Sequence, residues 1–409
     1  ILLYLIGIIH MKHIVVVGAG QAGFSVVSKL RNLQFDGSIT LIGNEPVPPY
    51  QRPPLSKKYL LGEMDVERLY LRPLSFYNDY EINLKLGEDV TAVDSVQKTI
   101  TVGKEIINYD ELIFTTGSTP NYLPPQIGGN LAGVYVVRNL SDVDSIVSEF
   151  IINKHVLIIG GGYIGLEAAA VASKLGLRVT LVEMGERILQ RVASSETSDY
   201  FRNLHTNNGV VIRENVGVKR LKGNDCVEVV ELTDGSNLEV DFVIAGIGIS
   251  PSTNLAKMAG CKLDNGIKTD ATGRTSISSI WAAGDCASFP YRDTRIRLES
   301  VPNAIDQAEL LALNIMGGNL EYRAKPWFWS DQFDVKLQIA GLNSGFNDVV
   351  TRGANPSISF WYYKDTELLA VDAMNDPRAY MIGKRLIEAG RSPGKDLVKD
   401  TSADLKSLL

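Results

Sequence analysis

The sequence predicts an α/β protein: two successive Rossmann-like dinucleotide-binding domains, then a smaller α+β C-terminal domain. Three observations predict it: a glycine-rich turn near residue 18, a second copy of that turn near residue 160, and a later β-rich run that closes on Gly284-Asp285. The first copy, Gly18-Ala19-Gly20-Gln21-Ala22-Gly23, follows the apolar run 13–17 and opens a helix-like stretch. The second, Gly160-Gly161-Gly162-Tyr163-Ile164-Gly165, follows the apolar run 155–159 and does the same.

Each copy therefore has the strand, tight turn and helix that the motif requires. The first glycine (Gly18, Gly160) permits the turn, the second (Gly20, Gly162) lets the backbone approach a pyrophosphate, and the third (Gly23, Gly165) lets helix and strand pack closely. The anion then meets free N–H groups at the helix N-terminus, offered by residues such as Ala22 in one copy and Tyr163 and Ile164 in the other. An acidic residue closes the next strand in each copy, Glu45 after 39–43 and Glu183 after 178–182, where a carboxylate can hold ribose hydroxyls. Two dinucleotides are implied.

The run 275–285 resembles the second FAD fingerprint of the two-dinucleotide, glutathione-reductase-like flavoprotein reductases, whose aspartate binds the ribityl chain; here that residue is Asp285, after Gly284. Two further apolar runs, 114–117 ending in Thr116-Gly117 and 244–248 ending in Gly248, look like that family's crossings between domains. The first motif is then assigned to FAD and the second to the nicotinamide nucleotide. The motif order predicts a discontinuous FAD-binding domain at 11–116 and 249–325, an inserted NAD-binding domain at 117–248, and a C-terminal domain at 326–409. In the last, strands at 360–363 and 368–371 and a helix near 379–389 are expected, with a loose polar tail from Arg391.

Glu183 favours NADH over NADPH, because a carboxylate accepts from a free 2′-hydroxyl and repels a 2′-phosphate. Arg187, four residues on, is the cation that leaves NADPH open. The three cysteines, Cys226, Cys261 and Cys286, form no Cys-x-x-Cys or Cys-x-x-x-x-Cys pair, and the stretch 21–57 has none. Electrons are therefore expected to leave the flavin for an acceptor outside the chain.

The segments Tyr50-Gln51-Arg52-Pro53-Pro54-Leu55-Ser56-Lys57, Glu299-Ser300-Val301-Pro302-Asn303-Ala304 and Pro326-Trp327-Phe328-Trp329-Ser330-Asp331-Gln332 resemble the ferredoxin reductases of bacterial oxygenase systems. The resemblance runs from about Met11 to about Arg385. It implies an enzyme with FAD, NADH as reductant and a small acidic 2Fe-2S ferredoxin as acceptor. It also implies that Lys57 lies near flavin N5 and pairs with Glu167, that Trp329 stands at the flavin and ferredoxin surface, and that Arg52, Arg138, Val90 and Val301 contact FAD. From the residues themselves, Ser300 and Pro302 read as a helix cap and first turn, continuing to Gly317-Gly318. Trp327 and Trp329 alternate about Phe328 at strand period. Arg295, Arg297, Lys336, Lys384 and Arg385 are candidates for the positive face that receives an acidic partner.

A length of 409 residues suits two or three domains, and a net charge of −6 argues against a nucleic-acid-binding face. Few, unpaired cysteines fit a reducing cytoplasm. The four histidines have no metal-ligand spacing, so no metal site is expected. The apolar run 1–9 is far short of the roughly twenty residues that span a bilayer; residues 1–10 read as sequence upstream of a start at Met11, and no membrane association is expected. Two rival readings keep the fold. A rubredoxin or another electron-transfer partner could replace the ferredoxin. Alternatively the chain is a non-catalytic NADH-sensing flavoprotein like the apoptosis-inducing factors, although Ser300 and Val301, not histidine, follow Glu299.

Overall fold

The computed structural model describes residues 11–409; the expected leader, residues 1–10, lies outside the described residues. The chain forms two compact units. One contains the described residues through Gln51 with Leu69–Ser118 and Pro251–Ala324, and the other contains Arg52–Arg68, Thr119–Ser250 and Lys325–Leu409.

The first unit is built on a five-stranded parallel sheet in the order Ile280–Ala282, Glu111–Phe114, His13–Val17, Ser38–Gly43, Ile82–Leu86. The central strand is apolar and buried from Ile14 to Val17 because both its faces are covered. Ile14 and Val16 pack towards the helices Gln21–Asn32 and Val301–Ile315, while Val15 and Val17 pack towards the small antiparallel sheet of Val90–Asp94, Thr99–Val102 and Glu105–Asn108. The 301–315 helix starts as its sequence predicts: Ser300 Oγ accepts from the Asn303 N–H, and proline occupies the first turn. Gly317 has φ +102°, and the Gly318 N–H closes the end on the Leu313 carbonyl.

The expected β-rich run from Thr275 is strand only at Ile280–Ala282. Ahead of it the chain turns on itself: the Thr275 N–H bonds the Ile280 carbonyl and Thr275 Oγ1 accepts from the Ile277 N–H. Local side-chain hydrogen bonding of this kind competes with a strand ladder.

The second unit repeats the parallel design in the order Val211–Glu214, Arg178–Glu183, His155–Ile159, Phe242–Ala245, Val134–Tyr135. Its C-terminal part is a five-stranded antiparallel sheet in the order Trp327–Gln332, Val335–Gly341, Glu367–Met374, Ser357–Lys364, Asp348–Ala354. One face of this sheet, with Leu337, Phe360, Tyr362 and Met374, shares a core with Leu166 and Phe201 of the helices Tyr163–Lys174 and Ser195–Asn207. The other face, with Ala340, Trp361 and Val371, is covered by the helix Pro377–Glu388. The polar tail expected to be loose is anchored: buried Arg352 donates to the carbonyls of Val398, Asp400 and Ala403, while Val398 and Leu405 enter the core. Among the described residues, no helix is long and apolar enough to cross a membrane.

Candidate functional site

The two glycine motifs share one build at their first and third glycines. A Cβ on Gly18 would stand 2.2 Å from the Thr115 carbonyl oxygen, and one on Gly23 would stand 2.0 Å from the Gly18 carbonyl oxygen. The matching positions Gly160 and Gly165 would meet the carbonyl oxygens of Gly246 and Gly160 at 2.3 and 2.1 Å. These four glycines are thus required by the protein's own packing, with Gly18 at φ +115° and Gly160 at φ +105° besides. The middle glycines differ: nothing lies within 4 Å of a Cβ on Gly20 or Gly162. Each is also the N-cap of its helix, with no side chain bonded to the first-turn N–H groups. Open space beside free N–H donors at a helix N-terminus fits the pyrophosphate of a dinucleotide in both cradles.

In the first unit the other expected cofactor contacts gather about that cradle. Ala22 stands on the 21–32 helix; a Cβ on Gly284, which has φ +80°, would lie 3.1 Å from the Ala22 Cβ and 3.8 Å from the Ala304 Cβ. Gly284, Asp285 and the start of the 301–315 helix, including half-buried Val301, therefore converge on the first cradle's helix. The Gly284 N–H bonds Gln307 Oε1 at 2.8 Å, and Asp285 accepts from Ser118 Oγ at 3.0 Å. Glu45 accepts from the Tyr50 hydroxyl at 2.6 Å. Thr116 Oγ1 donates to the Ser252 carbonyl, Gly117 turns at φ +65°, and Val90 begins its strand half-buried.

In the second unit Glu183 ends its strand with both carboxylate oxygens held: Oε2 by the Gly161 N–H and Oε1 by the Gly185 N–H, each at 2.7 Å. That fixes an acceptor beside the second cradle. Arg187 is committed elsewhere, donating to the carbonyls of Ala193 and Ser194 and to Ser198 Oγ. It braces the start of the 195–207 helix. Tyr163 opens the 163–174 helix with its ring 5.1 Å from Phe328 and its hydroxyl buried without a partner, and burial raises that hydroxyl's pKa well above the ordinary value. Ile164 is exposed beside it, and Gly248 turns at φ +98°.

Lys57, Glu167 and Trp329 also lie in this unit, as do Arg52 and Arg138. Lys57 sits in a π-type turn, Leu55–Tyr59, with its own backbone out of helical geometry at φ −134°, ψ −111°. Its Nζ lies 2.6 Å from Glu167 Oε2, with Glu167 only 1% exposed. Two hydroxyls complete the carboxylate's partners at 2.6 Å each, Ser56 on Oε2 and Ser330 on Oε1. Trp329 projects from the opposite face of its strand to Ser330 and packs against Trp327, ring centroids 5.6 Å apart. Arg52 donates to the Arg138 carbonyl at 2.9 Å, just ahead of the capping box that starts Leu140–Val147.

The motifs contain Ser56, Ser330 and Gln332 but assigned them no role, and His205 lies outside them; all four lie on or behind Glu167. The signal was present at Ser330 and Gln332, two polar residues at strand period on the face opposite Trp329. Among the candidate docking cations, Arg295 is bonded to the Thr269 and Ser288 carbonyls, and Arg297 to the Asp285 carbonyl and to Glu299. Lys336 and Arg385 are exposed, and Lys384 pairs with Glu388. The three cysteines are free, and Cys286 is a packing residue whose thiol pKa burial raises. No cluster of three or more His, Cys, Asp or Glu among the described residues could hold a metal ion.

A doubled cradle of this kind, one copy in each unit, defines a two-nucleotide oxidoreductase. Residues 12–308 match the pyridine nucleotide-disulphide oxidoreductase family and residues 327–409 match the reductase C-terminal family. The chain belongs to the pyridine nucleotide-disulphide oxidoreductase family, whose members use FAD and NAD(P)H. It is 41% identical to the rhodocoxin reductase of Rhodococcus erythropolis, over 96% of this chain and 93% of that one. It is 44% identical to a ferredoxin–NAD(P)+ reductase of a Sphingomonas species, over 92% of each. The crystal structure of the covalent putidaredoxin reductase–putidaredoxin complex matches with TM-score 0.94 at 37% identity, over 97% of this chain and 98% of that chain.

Proposed function

We propose that this chain is an NADH-dependent ferredoxin reductase that passes electrons through FAD to a small acidic 2Fe-2S ferredoxin serving an oxygenase, in the cytoplasm. The observation that carries the reading is the pair of open cradles in a chain whose cysteines form no redox pair. Electrons entering from a nicotinamide then have no thiol to leave by. Domains follow the cradles: residues 11–116 and 249–325 hold FAD, 117–248 hold NADH, and 326–409 form the C-terminal domain.

When bound, FAD supplies the exchange between a hydride donor and a one-electron acceptor. The protein supplies position and charge. Gly20 and the N–H groups after it hold the FAD pyrophosphate, with Ala22 keeping that surface small. Glu45 accepts from the adenosine ribose, Val90 offers its main chain to the adenine end, and Asp285, with Gly284, holds the ribityl chain. Thr116 and Gly117 line the crossing strand. Val301 presents the positive end of the 301–315 helix, which favours negative charge on the reduced ring. Arg52 and Arg138 would add donors, Lys57, held against Glu167, would offer a cation to the ring, and Trp329 would offer an aromatic face. Gly162, Tyr163 and Ile164 present N–H groups to the NADH pyrophosphate, Glu183 accepts from the adenosine ribose, and Gly248 allows close approach.

Anaerobic NADH should bleach the yellow protein without making any thiol pair titratable. Appearance of a reactive cysteine pair on reduction would remove the external acceptor from the reading.

A further inference from the structure

Behind the Glu167 carboxylate, hydrogen bonds continue inward. Gln332 Nε2 lies 3.1 Å from Ser330 Oγ, and Gln332 Oε1 lies 2.8 Å from His205 Nε2. Ser330, Gln332 and His205 are 0, 1 and 0% exposed. His205 Nδ1 is buried with no partner, and the Phe333 ring stands edge-on to the imidazole at 5.0 Å.

The direction of every bond follows from the Glu167 end. A carboxylate only accepts, so Ser330's single proton goes to Oε1, and its oxygen can only accept from Gln332. Gln332 therefore turns its NH2 to Ser330 and its carbonyl to His205. That carbonyl needs a donor, so the imidazole carries its proton on Nε2. Nδ1 is then a bare acceptor, and it is the ring atom left unpartnered. Burial, which lowers the ring's pKa to about 4, keeps it neutral.

We infer that His205, Gln332 and Ser330 are positioning residues for the reductase: a one-way series of donors that holds Glu167 as a fixed anion behind Lys57. The inference rests on the reading that Lys57 acts at the flavin. Each bond polarises the next toward the carboxylate, and in a dry interior such a series is stronger than its separate members. Ser56 holds the other oxygen, so the carboxylate can neither rotate away from Lys57 nor leave it.

Two measurements on the holoenzyme test this. In protein labelled with 15N-histidine, His205 should show the neutral Nε2–H tautomer at neutral pH and keep it down to about pH 5. An Nδ1–H tautomer, or a doubly protonated ring at about pH 6, would overturn the inference. In stopped-flow reduction by saturating NADH, Gln332→Leu and His205→Leu should slow flavin reduction about fivefold, the size of one ordinary hydrogen bond. His205→Gln, which keeps an N–H donor, should recover most of that rate; a purely structural role would not favour this variant. Slow reduction in Lys57→Gln with wild-type rates in Gln332→Leu and His205→Leu would overturn the positioning role and leave the Lys57 reading standing. Wild-type rates in all of these variants, Lys57→Gln included, would overturn both.

Discussion

Lys57 Nζ and Glu167 Oε2 lie 2.6 Å apart, with a loop lysine brought to a helix carboxylate that is almost wholly buried. Assembling such a pair costs desolvation, and removing one member leaves an orphan charge. Lys57→Met or Glu167→Gln alone should cost about 3–5 kcal/mol of stability, and the double replacement clearly less than the sum. Either single change should slow reduction by NADH. Urea melts and stopped-flow traces of the four proteins check this, and strict additivity in both would separate the residues.

Glu183 is fixed by two backbone N–H groups and Arg187 is bonded to its own helix start, so nucleotide choice should depend on Glu183 alone. Glu183→Ala should lower kcat/KM for NADH about tenfold and narrow the gap to NADPH. Arg187→Gln should lower Tm while leaving the ratio of the two kcat/KM values unchanged. Equal kcat/KM for both nucleotides in the unaltered enzyme would contradict the assignment.

Two buried groups make stability respond to pH in opposite senses. Burial raises the Asp372 pKa from 3.8 to about 6, so the folded chain holds that proton more tightly and stability falls as pH rises through about 4 to 6. Burial lowers the His205 pKa from 6.5 to about 4, so the unfolded chain takes its proton first and stability falls as pH drops through about 6.5 to 4. Each effect is about 3 kcal/mol, and they largely offset. Asp372→Asn should therefore lose stability on acidification from about pH 6 to 4 more steeply than the unaltered protein. Parallel curves of unfolding free energy against pH would show that Asp372 does not titrate in this window.

The cradles were legible in the sequence because Gly23 and Gly165 each stand 2.0–2.1 Å, at the Cβ position, from a carbonyl oxygen of their own motif, where only glycine fits. The Ser300 cap and the Trp327–Trp329 alternation were legible for the same reason: their causes are local. The fate of Arg187 was not, since a cation four residues from Glu183 points to a phosphate until the carbonyls of Ala193 and Ser194 and the Ser198 hydroxyl engage it. Nor was the Ser330–Gln332–His205 series, whose members come from a C-terminal strand and a helix of the parallel fold. The anchored tail depends on Arg352, a single buried guanidinium reaching several carbonyls far along the chain.

Lys336 stands opposite Asp331 on the strand next to Trp329, on the face of the C-terminal sheet that the 377–388 helix covers; Arg385 is exposed on that helix. With Arg295 and Arg297 bonded internally, these two cations are the stronger docking candidates for an acidic partner. Lys336→Glu with Arg385→Glu should raise KM for ferredoxin about tenfold at low salt, with the difference shrinking as salt screens it. NADH-to-ferricyanide turnover should not change. A ferredoxin KM that is unaltered at low ionic strength would remove this face from docking.

The most direct test of the electron path is steady-state cytochrome c reduction by the FAD-loaded enzyme with NADH and a panel of purified carriers, 2Fe-2S ferredoxins and a rubredoxin. Turnover should depend on added carrier, be greatest with an acidic 2Fe-2S ferredoxin, and saturate with it. Turnover that no ferredoxin raises above the carrier-free rate, or that a rubredoxin supports better than every ferredoxin, would contradict this electron path.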